Sequence, residues 1–102
     1  MGITVKLESE DGSEIECVED PTNVLHRVLP ESGSIDFQWA NTIDWYGDTV
    51  FNHLQAASLR REWAVLIRNA ADKITKEVLE QIDGLLQKCA AGDHLYVKFY
   101  GD

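Results

Sequence analysis

The stretch ADKITKEVLEQIDGLLQKCAAGDHLYVKFYG, residues 71–101, decides the fold, because the spacing of its apolar residues changes from a helical to a strand pattern. Its first part repeats apolar residues every three or four positions, which is typical of a helix with one buried face. Those positions are Ile74, Val78, Ile82, Leu85, Leu86 and Cys89. Its last part alternates apolar and polar residues, which is typical of a half-buried strand. The stretch therefore predicts a helix followed directly by a strand.

Three residues of this stretch mark the course of the predicted helix. Asp72 is a natural N-cap, because its carboxylate can accept hydrogen bonds from the first free backbone N–H groups. Gly92 is placed to end the helix in the left-handed conformation. Gly84 lies inside the helix, where glycine costs about 1 kcal/mol relative to alanine, and we interpret it as a mark of close packing.

A second helix is predicted just upstream, in SLRREWAVLIRNA, residues 58–70. Its apolar residues again fall on one face: Leu59, Trp63, Leu66, Ile67 and Ala70. Ser58 is the predicted start. Val50, Phe51 and Leu54 lead into this helix and are assigned to the core.

Two alternating runs near the start of the sequence predict a β-hairpin. A two-residue turn at Asp11-Gly12 would place Leu7 opposite Glu16 and mix apolar with charged residues. A three-residue loop, residues 10–12, instead places Leu7 opposite Ile15 and gives its glycine the left-handed conformation that such loops require. We therefore predict the three-residue loop, with Leu7 and Ile15 both buried.

This register determines the other cross-strand pairs, which are Val5–Cys17, Lys6–Glu16 and Glu8–Glu14. The pair of glutamates costs stability because like charges face each other. Cys17 and Cys89 both fall on apolar faces and form no CxxC motif, so we predict two separate, buried free thiols.

The middle of the chain is less regular. PTNVLHRVLP, residues 21–30, predicts a short helix that is capped by Thr22 or Asn23 and carries His26 on its surface side. Residues 31–48 are rich in turn formers and predict irregular structure, with one strand in IDFQWANTI.

Together these elements predict a single α+β domain over residues 1–102. Its sheet is small and antiparallel and consists of the N-terminal hairpin and the C-terminal strand. The two main helices cover one face of that sheet, because their apolar stripes need the apolar face of the strands.

The charge of the chain is strongly uneven. The formal net charge is −9. Residues 1–50 contain eleven acidic residues against two basic ones, whereas residues 51–102 contain seven of each. Such a field repels nucleic acid and anionic membranes and attracts a basic protein, although an acidic excess also serves solubility alone. The N-terminus lacks an apolar signal segment and no run of about 18 apolar residues occurs, so we predict a cytoplasmic protein.

One segment between the predicted elements carries most of the polar and aromatic groups, DWYGDTVFNHLQ, residues 44–55. Gly47 predicts a tight turn, with Asp48 bonding the backbone that follows. Functional side chains are often placed on loops between rigid elements. The candidate binding residues are Asp44, Trp45, Tyr46, Asn52 and His53.

The segment does not carry a recognisable catalytic motif. His53 could act as a general base beside Asp44 or Asp48, but the sequence pairs no nucleophile with a base, so we predict no catalytic residues. The three histidines show neither an HxH nor an HExxH spacing, and the sequence has no glycine-rich phosphate loop. We therefore predict neither a metal nor a cofactor.

The string YGDTVFN, residues 46–52, resembles a family of short uncharacterised bacterial proteins with a YGDTVFN-x-x-Q pattern. The similar features include the LxxEW motif at residues 59–63, the portion DPTNVLHRVLP at residues 20–30 and the segment LYVKFYGD at residues 95–102. The resemblance implies a bacterial, single-domain, cytoplasmic protein. It carries over no catalytic or binding residues, because that family is a domain of unknown function.

Three functions fit these observations. The favoured one is a small acidic protein-binding module that neutralises a basic partner in the manner of an immunity protein, which is an analogy at the level of surface charge. The alternatives are a homodimer or other homo-oligomer formed through an open sheet edge or exposed aromatic residues, and an enzyme that uses His53.

Overall fold

The computed structural model describes residues 3–20, 22–30 and 37–101 and confirms the predicted α+β class. Its elements are, in chain order, β1 (Thr4–Ser9), β2 (Glu14–Glu19), α1 (Val24–Val28), a 3-10 helix (Ala40–Thr42), β3 (Asp48–Phe51), α2 (His53–Arg68), α3 (Lys73–Ala91) and β4 (Leu95–Tyr100). The strands form one antiparallel sheet in the order β2-β1-β4-β3. The short strand β3 is an addition to the predicted sheet.

The core lies between the sheet and the two long helices. Trp63 of α2 is fully buried, and its ring centroid lies 5.9 Å from that of Phe99 in β4. The indole N–H of Trp63 donates to the backbone oxygen of Leu79 in α3 at 2.9 Å. Phe99 also meets Phe51 of β3 edge-on, with centroids 5.7 Å apart. These contacts tie α2, α3, β3 and β4 into one core.

Both long helices begin at side-chain caps. The side chain of Asn52 accepts a hydrogen bond from the backbone N–H of Gln55, and the side chain of Gln55 accepts one from Asn52, each at 2.9 Å. This capping box starts α2 well before the predicted start at Ser58. The predicted cap of α3 is confirmed, since Asp72 accepts from the backbone N–H of Thr75 at 2.8 Å.

The buried stripes of the helices run along slightly different faces from those predicted. The stripe of α3 passes through Thr75 and Leu79, so Ile74, which is 100° away around the helix, is exposed. The stripe of α2 begins at Ala56, which leaves Leu54 exposed. Val50 of β3 is 47% exposed as well, so the assignments of Ile74, Leu54 and Val50 to the core are wrong.

Gly84 in α3 and Gly92 just after it differ from their predicted roles. Gly92 is extended, with φ −106°, and is not the left-handed residue that was expected. Its missing Cβ instead makes room for Leu95, whose Cδ1 would lie 2.6 Å from an added Cβ. Gly84 has no atom within 4 Å of the position of a Cβ, so it does not mark close packing.

We expect Gly84→Ala to stabilise the protein by about 0.5–1 kcal/mol, because alanine removes the entropic cost of glycine in a helix and fills open space. The free energy of unfolding from chemical denaturation measures the change. Gly92→Ala is the matched control and should lower stability, because the Leu95 side chain would have to move. A loss of stability in Gly84→Ala would contradict this account of the helix.

The hairpin between β1 and β2 has the predicted loop. Gly12 is left-handed, with φ 87°. The backbone N–H of Gly12 donates to Ser9 and that of Ser9 donates to Ser13, each at 2.9 Å. The predicted pairing of Glu8 with Glu14 is also confirmed. The three-residue loop is therefore correct, together with the register beside it.

The predicted register is wrong beyond this point, because β2 contains a β-bulge at Ile15. Leu7 faces Glu16, and Ile15 is 49% exposed instead of buried. A bulge adds one residue to a strand, and a shift of one residue exchanges the two faces of every position that follows. The loop and the pairing of Leu7 with Glu16 are thus compatible, which sequence patterning does not anticipate.

The bulge also reverses the environment of Cys17. The strand pairs Lys6 with Cys17 and Val5 with Val18, so Val18 is buried and Cys17 is exposed. The predicted Val5–Cys17 and Lys6–Glu16 pairs and the buried state of Cys17 are therefore wrong. Cys89 is buried as predicted, and both thiols are free.

We expect Ellman's reagent to label one thiol in the native protein and two in denaturant. Partial burial and the neighbouring Glu14 carboxylate raise the pKa of Cys17, so its labelling should be slow at neutral pH and should accelerate as the pH rises. Cys17→Ser is the control and should abolish native labelling. Native labelling of neither thiol, or of both at once, would contradict the exposure that the bulge creates.

The short helix α1 begins at a buried carboxylate. Asp20 accepts hydrogen bonds from the backbone N–H groups of Val24 and Leu25, both at 2.8 Å. Asn23 occupies the predicted cap position but is left-handed, with φ 57°, and its side chain makes no capping bond. Asp20 therefore caps α1 in place of the predicted Thr22 or Asn23, because its two carboxylate oxygens accept from two backbone N–H groups.

The predicted strand at residues 35–43 is absent from its described part, residues 37–43. Residues 35 and 36 lie outside the described residues. Residues 37–43 contain a turn and the 3-10 helix. The carboxylate of Glu62 in α2 accepts from the backbone N–H of Trp39 at 3.0 Å and from that of Ala40 at 2.8 Å. A side chain from a helix thus satisfies the N–H groups that would otherwise pair with another strand.

Candidate functional site

The candidate segment folds into a tight corner between the 3-10 helix and β3. Oδ1 of Asp44 accepts from the backbone N–H of Tyr46 at 2.8 Å, which forms a local Asx turn. The backbone N–H of Asp44 donates to Oγ1 of Thr49 at 2.9 Å. Asp44 therefore builds the turn that was assigned to Asp48, whereas Asp48 is an exposed residue of β3.

The corner is packed against the end of β4 through two glycines. The backbone N–H of Gly101 donates to the carbonyl of Gly47 at 2.7 Å. A Cβ on Gly101 would lie 2.6 Å from the backbone oxygen of Trp45, and a Cβ on Gly47 would lie 2.7 Å from Oδ2 of Asp44. Such approaches leave no room for a side chain at either glycine, so the corner and the end of β4 are in close backbone contact.

The two aromatic residues of the corner differ in exposure. Trp45 is half-buried, packs on the core and meets the ring of His26 edge-on at 5.0 Å. His26, predicted on the surface, is half-buried as a result, and its Nε2 is buried without a hydrogen-bond partner among the described residues. Tyr46 is 79% exposed. Trp45 therefore contributes to the fold, whereas Tyr46 is presented to solvent.

A groove of about 530 Å³ opens beside this corner, and we call it the Tyr46 groove. It is lined by Pro30, Asn41, Thr42, Ile43, Asp44, Trp45 and Tyr46. Three of the predicted binding residues, Asp44, Trp45 and Tyr46, thus lie together at a concave surface. Such a surface offers an aromatic wall beside a carboxylate.

The other two predicted binding residues lie outside the groove. Asn52 caps α2, so its side-chain oxygen is already bonded to the backbone. His53 is the half-buried first residue of α2. Among the described residues, no hydrogen bond or ion pair joins His53 to Asp44 or Asp48. The contacts therefore do not favour an acid–base pair at this position, and the binding roles of Asn52 and His53 stay predictions.

The open face of the sheet carries a polar network that the sequence did not reveal. Glu8 is only 4% exposed, and its carboxylate accepts hydrogen bonds from the hydroxyl of Tyr100 and, at 3.1 Å, from Nζ of Lys98. Nζ of Lys6 lies 3.0 Å from Glu14. The two lysines therefore offset the repulsion expected between Glu8 and Glu14.

This network shifts two pKa values. Burial alone would raise the pKa of Glu8, but the hydrogen bonds from Tyr100 and Lys98 outweigh it and leave the pKa lowered. The same hydrogen bond to Glu8 raises the pKa of Tyr100 to about 12. The pair therefore keeps a negative carboxylate and a neutral phenol together across the neutral pH range.

The acidic excess is concentrated on the hairpin. We call the following set the acidic hairpin: Glu10, Asp11, Glu14, Glu16 and Glu19. Three members have a basic neighbour: Glu14 has Lys6, Glu16 has Lys88, and Glu10 has His94 with Nδ1 at 3.5 Å. Asp11 accepts from the hydroxyl of Ser9 and the backbone N–H of Ser13, which lowers its pKa to about 2. Glu19 is exposed and makes no ion pair within the described residues.

Comparisons with known proteins do not assign this site. No family model, curated protein or solved structure matches the chain. The resemblance to the bacterial family therefore stays a prediction. Within the described ranges, no three His, Cys, Asp or Glu side chains are grouped so that they could hold a metal ion, and no helix is long and apolar enough to cross a membrane.

We expect Tyr46→Ala to change the free energy of unfolding by less than about 0.5 kcal/mol, because the side chain is exposed. Phe51→Ala should cost about 3–5 kcal/mol, because Phe51 is 2% exposed and packs on Phe99. Trp45→Ala should lie between the two. Chemical denaturation of the three variants measures the order. A loss in Trp45→Ala as large as that in Phe51→Ala would assign Trp45 to the architecture alone.

Proposed function

We propose that the protein is a small acidic protein-binding module that engages a basic partner protein through the Tyr46 groove. Neutralisation of that partner, as by an immunity protein, is the form of this function that the charge supports best. One observation carries the proposal: Tyr46 is a large aromatic residue, 79% exposed, on a corner that Gly47 and Gly101 hold in place.

An exposed tyrosine on a well-packed corner is well suited to binding. Its ring offers a large apolar area and its hydroxyl offers a hydrogen bond, and tyrosine is enriched among the residues that dominate interface energetics. Less backbone entropy is lost when a residue on a well-packed corner is bound than when it lies on an open loop. Asp44 and Trp45 line the same groove, so a basic group of the partner would meet a carboxylate beside the aromatic ring.

The acidic hairpin supports the choice of a basic partner. Its carboxylates, with Asp11 charged at any physiological pH, add to a net charge of −9. A field of this sign raises the association rate of cationic proteins and opposes the approach of nucleic acid and anionic lipid. A cytoplasmic location fits this function and belongs to the same proposal.

A homo-oligomer is the second candidate, and one observation favours it. Val50 on the edge strand β3 and Leu54 just after it are both exposed. Exposed apolar residues beside a sheet edge can pair with a second copy. The net charge of −9 on each copy opposes this association, so we place it second.

The proposal is tested by affinity capture with the purified protein from the cells in which it occurs naturally. We expect one stoichiometric partner with a basic isoelectric point, and its retention should fall steeply as salt is raised. Tyr46→Ala should weaken binding of that partner by about 30-fold or more, which corresponds to at least about 2 kcal/mol.

Ile74→Ala is the matched control for this experiment. Ile74 is also a large exposed apolar residue, but it lies on α3 and not in the Tyr46 groove. It should leave the affinity unchanged. An acidic partner, or equal binding by Tyr46→Ala and the original protein, would refute the proposed use of the groove.

A further inference from the structure

The two edges of the sheet differ in their readiness to accept another strand. The order β2-β1-β4-β3 places β2 and β3 at the edges. β2 is interrupted by the bulge at Ile15 and carries three glutamates, and both features obstruct pairing with a further strand. β3 is regular, because its four residues pair with β4 without a break. The edge at β3 is therefore the open one.

The main-chain groups of β3 that face outward can be assigned from the hydrogen-bond pattern. Gly47 and Gly101 are joined by a hydrogen bond and lie directly opposite each other in the continued register. Hydrogen-bonded pairs alternate along an antiparallel ladder, so Thr49 and Phe51 also bond to β4. The N–H and C=O groups of Asp48 and Val50 therefore point away from the sheet, and no described residue pairs with them.

The side chains around this edge are unusually apolar for a surface. Val50 is 47% exposed on the open face of the sheet. The described residues expose five large apolar or aromatic side chains, and three of them, Tyr46, Val50 and Leu54, lie in β3 or just beside it. A strand added at this edge would cover Val50 in addition to pairing with the backbone.

A concavity of about 450 Å³ links this edge to the acidic hairpin. Its lining includes Val50, Tyr96 and Lys98 on the sheet, and Glu10 and Asp11 in the hairpin loop. Lys98 is already engaged by the buried Glu8, whereas Glu10 and Asp11 have no lysine or arginine partner among the described residues, so these two carboxylates give the surface its negative charge. A basic side chain beside Val50 would point into the concavity towards two carboxylates.

We infer that the partner binds by strand addition: an extended basic segment pairs with Asp48 and Val50 and directs a lysine or arginine over the open face towards the hairpin loop. A second copy of the chain fits less well, because two chains of charge −9 repel each other and the concavity is acidic. The inference rests on the proposed function, and it names the chemistry of the partner and its mode of binding.

The test uses a blocked peptide in which valine alternates with lysine and arginine, labelled with a fluorophore and titrated with the full chain. We expect Val50→Pro to weaken binding about tenfold or more, because proline removes an outward N–H that the ladder to β4 does not use. Cys17→Pro is the matched control at the other edge, because the N–H of Cys17, opposite Lys6, also points away from the sheet; it should bind the peptide as the original protein does. In hydrogen exchange, the amide of Val50 should become protected when the peptide is added.

Val50→Lys is a second variant that leaves the backbone intact. It should also weaken binding, because it places a positive charge where the basic segment docks. Equal binding by both Val50 variants and the original protein would overturn the inference, and so would a peptide that fails to bind. A dimer in sedimentation velocity that Val50→Pro dissociates would overturn it as well, since a second copy would then be the occupant.

The two proposals fail in different ways. The peptide could lose binding to the double variant Glu10→Gln, Asp11→Asn and still bind Val50→Pro. That result would refute strand addition and would still support a basic partner. In the opposite case, Val50→Pro abolishes binding of the peptide, and Tyr46→Ala leaves the affinity for the natural partner unchanged. That result would refute the role of the Tyr46 groove and support strand addition.

Discussion

The buried indole of Trp63 is the contact on which the rest of the structure depends. Its N–H bonds to the backbone of α3 while its ring packs on Phe99 in the sheet, so one side chain from α2 joins both helices to β4. A buried indole without its hydrogen bond would leave a polar group unsatisfied, which makes the spacing of the two helices specific as well as tight. The corner at Trp45 and the strand β3 are positioned from this centre through Phe99 and Phe51.

Sequence patterning predicted the features that depend on neighbours along the chain. The cap at Asp72 and the loop at Gly12 follow from local chemistry and are found, and the apolar stripes are found except at Ile74. The bulge at Ile15 could not be predicted, because the alternation of Ile15 with Cys17 fits a regular strand and gives no sign of an extra residue. Glu62 gave no signal either, since the N–H groups that it binds lie more than 20 residues away. The Tyr46 groove could be predicted only in part, since Asp44 and Tyr46 do lie together there but Asn52 and His53 do not. No sequence pattern indicated the polar network on the open face of the sheet.

The acidic surface and the open edge share the uncovered face of the sheet. The concavity between Val50 and the hairpin loop runs across β4, and the buried Glu8 network forms part of the same face. In that network Lys6 is paired with Glu14 and Lys98 with Glu8, so the carboxylates of Glu10 and Asp11 are the charges of the concavity without a lysine partner. A cationic strand would therefore find main-chain partners at one end of this face and negative charge at the other.

The position of β4 also governs how the molecule can fold. β4 lies inside the sheet, and its pairing with β1 joins residues 4–9 to residues 95–100. Such a closure spans nearly the whole chain, and its entropic cost must be met before the pairing contributes any stability. The hairpin and the two long helices can form earlier from local contacts, but β1 and β3 cannot join one sheet until β4 enters between them. During that interval both strands expose unpaired edges, so the final insertion step is when this chain is most open to aggregation.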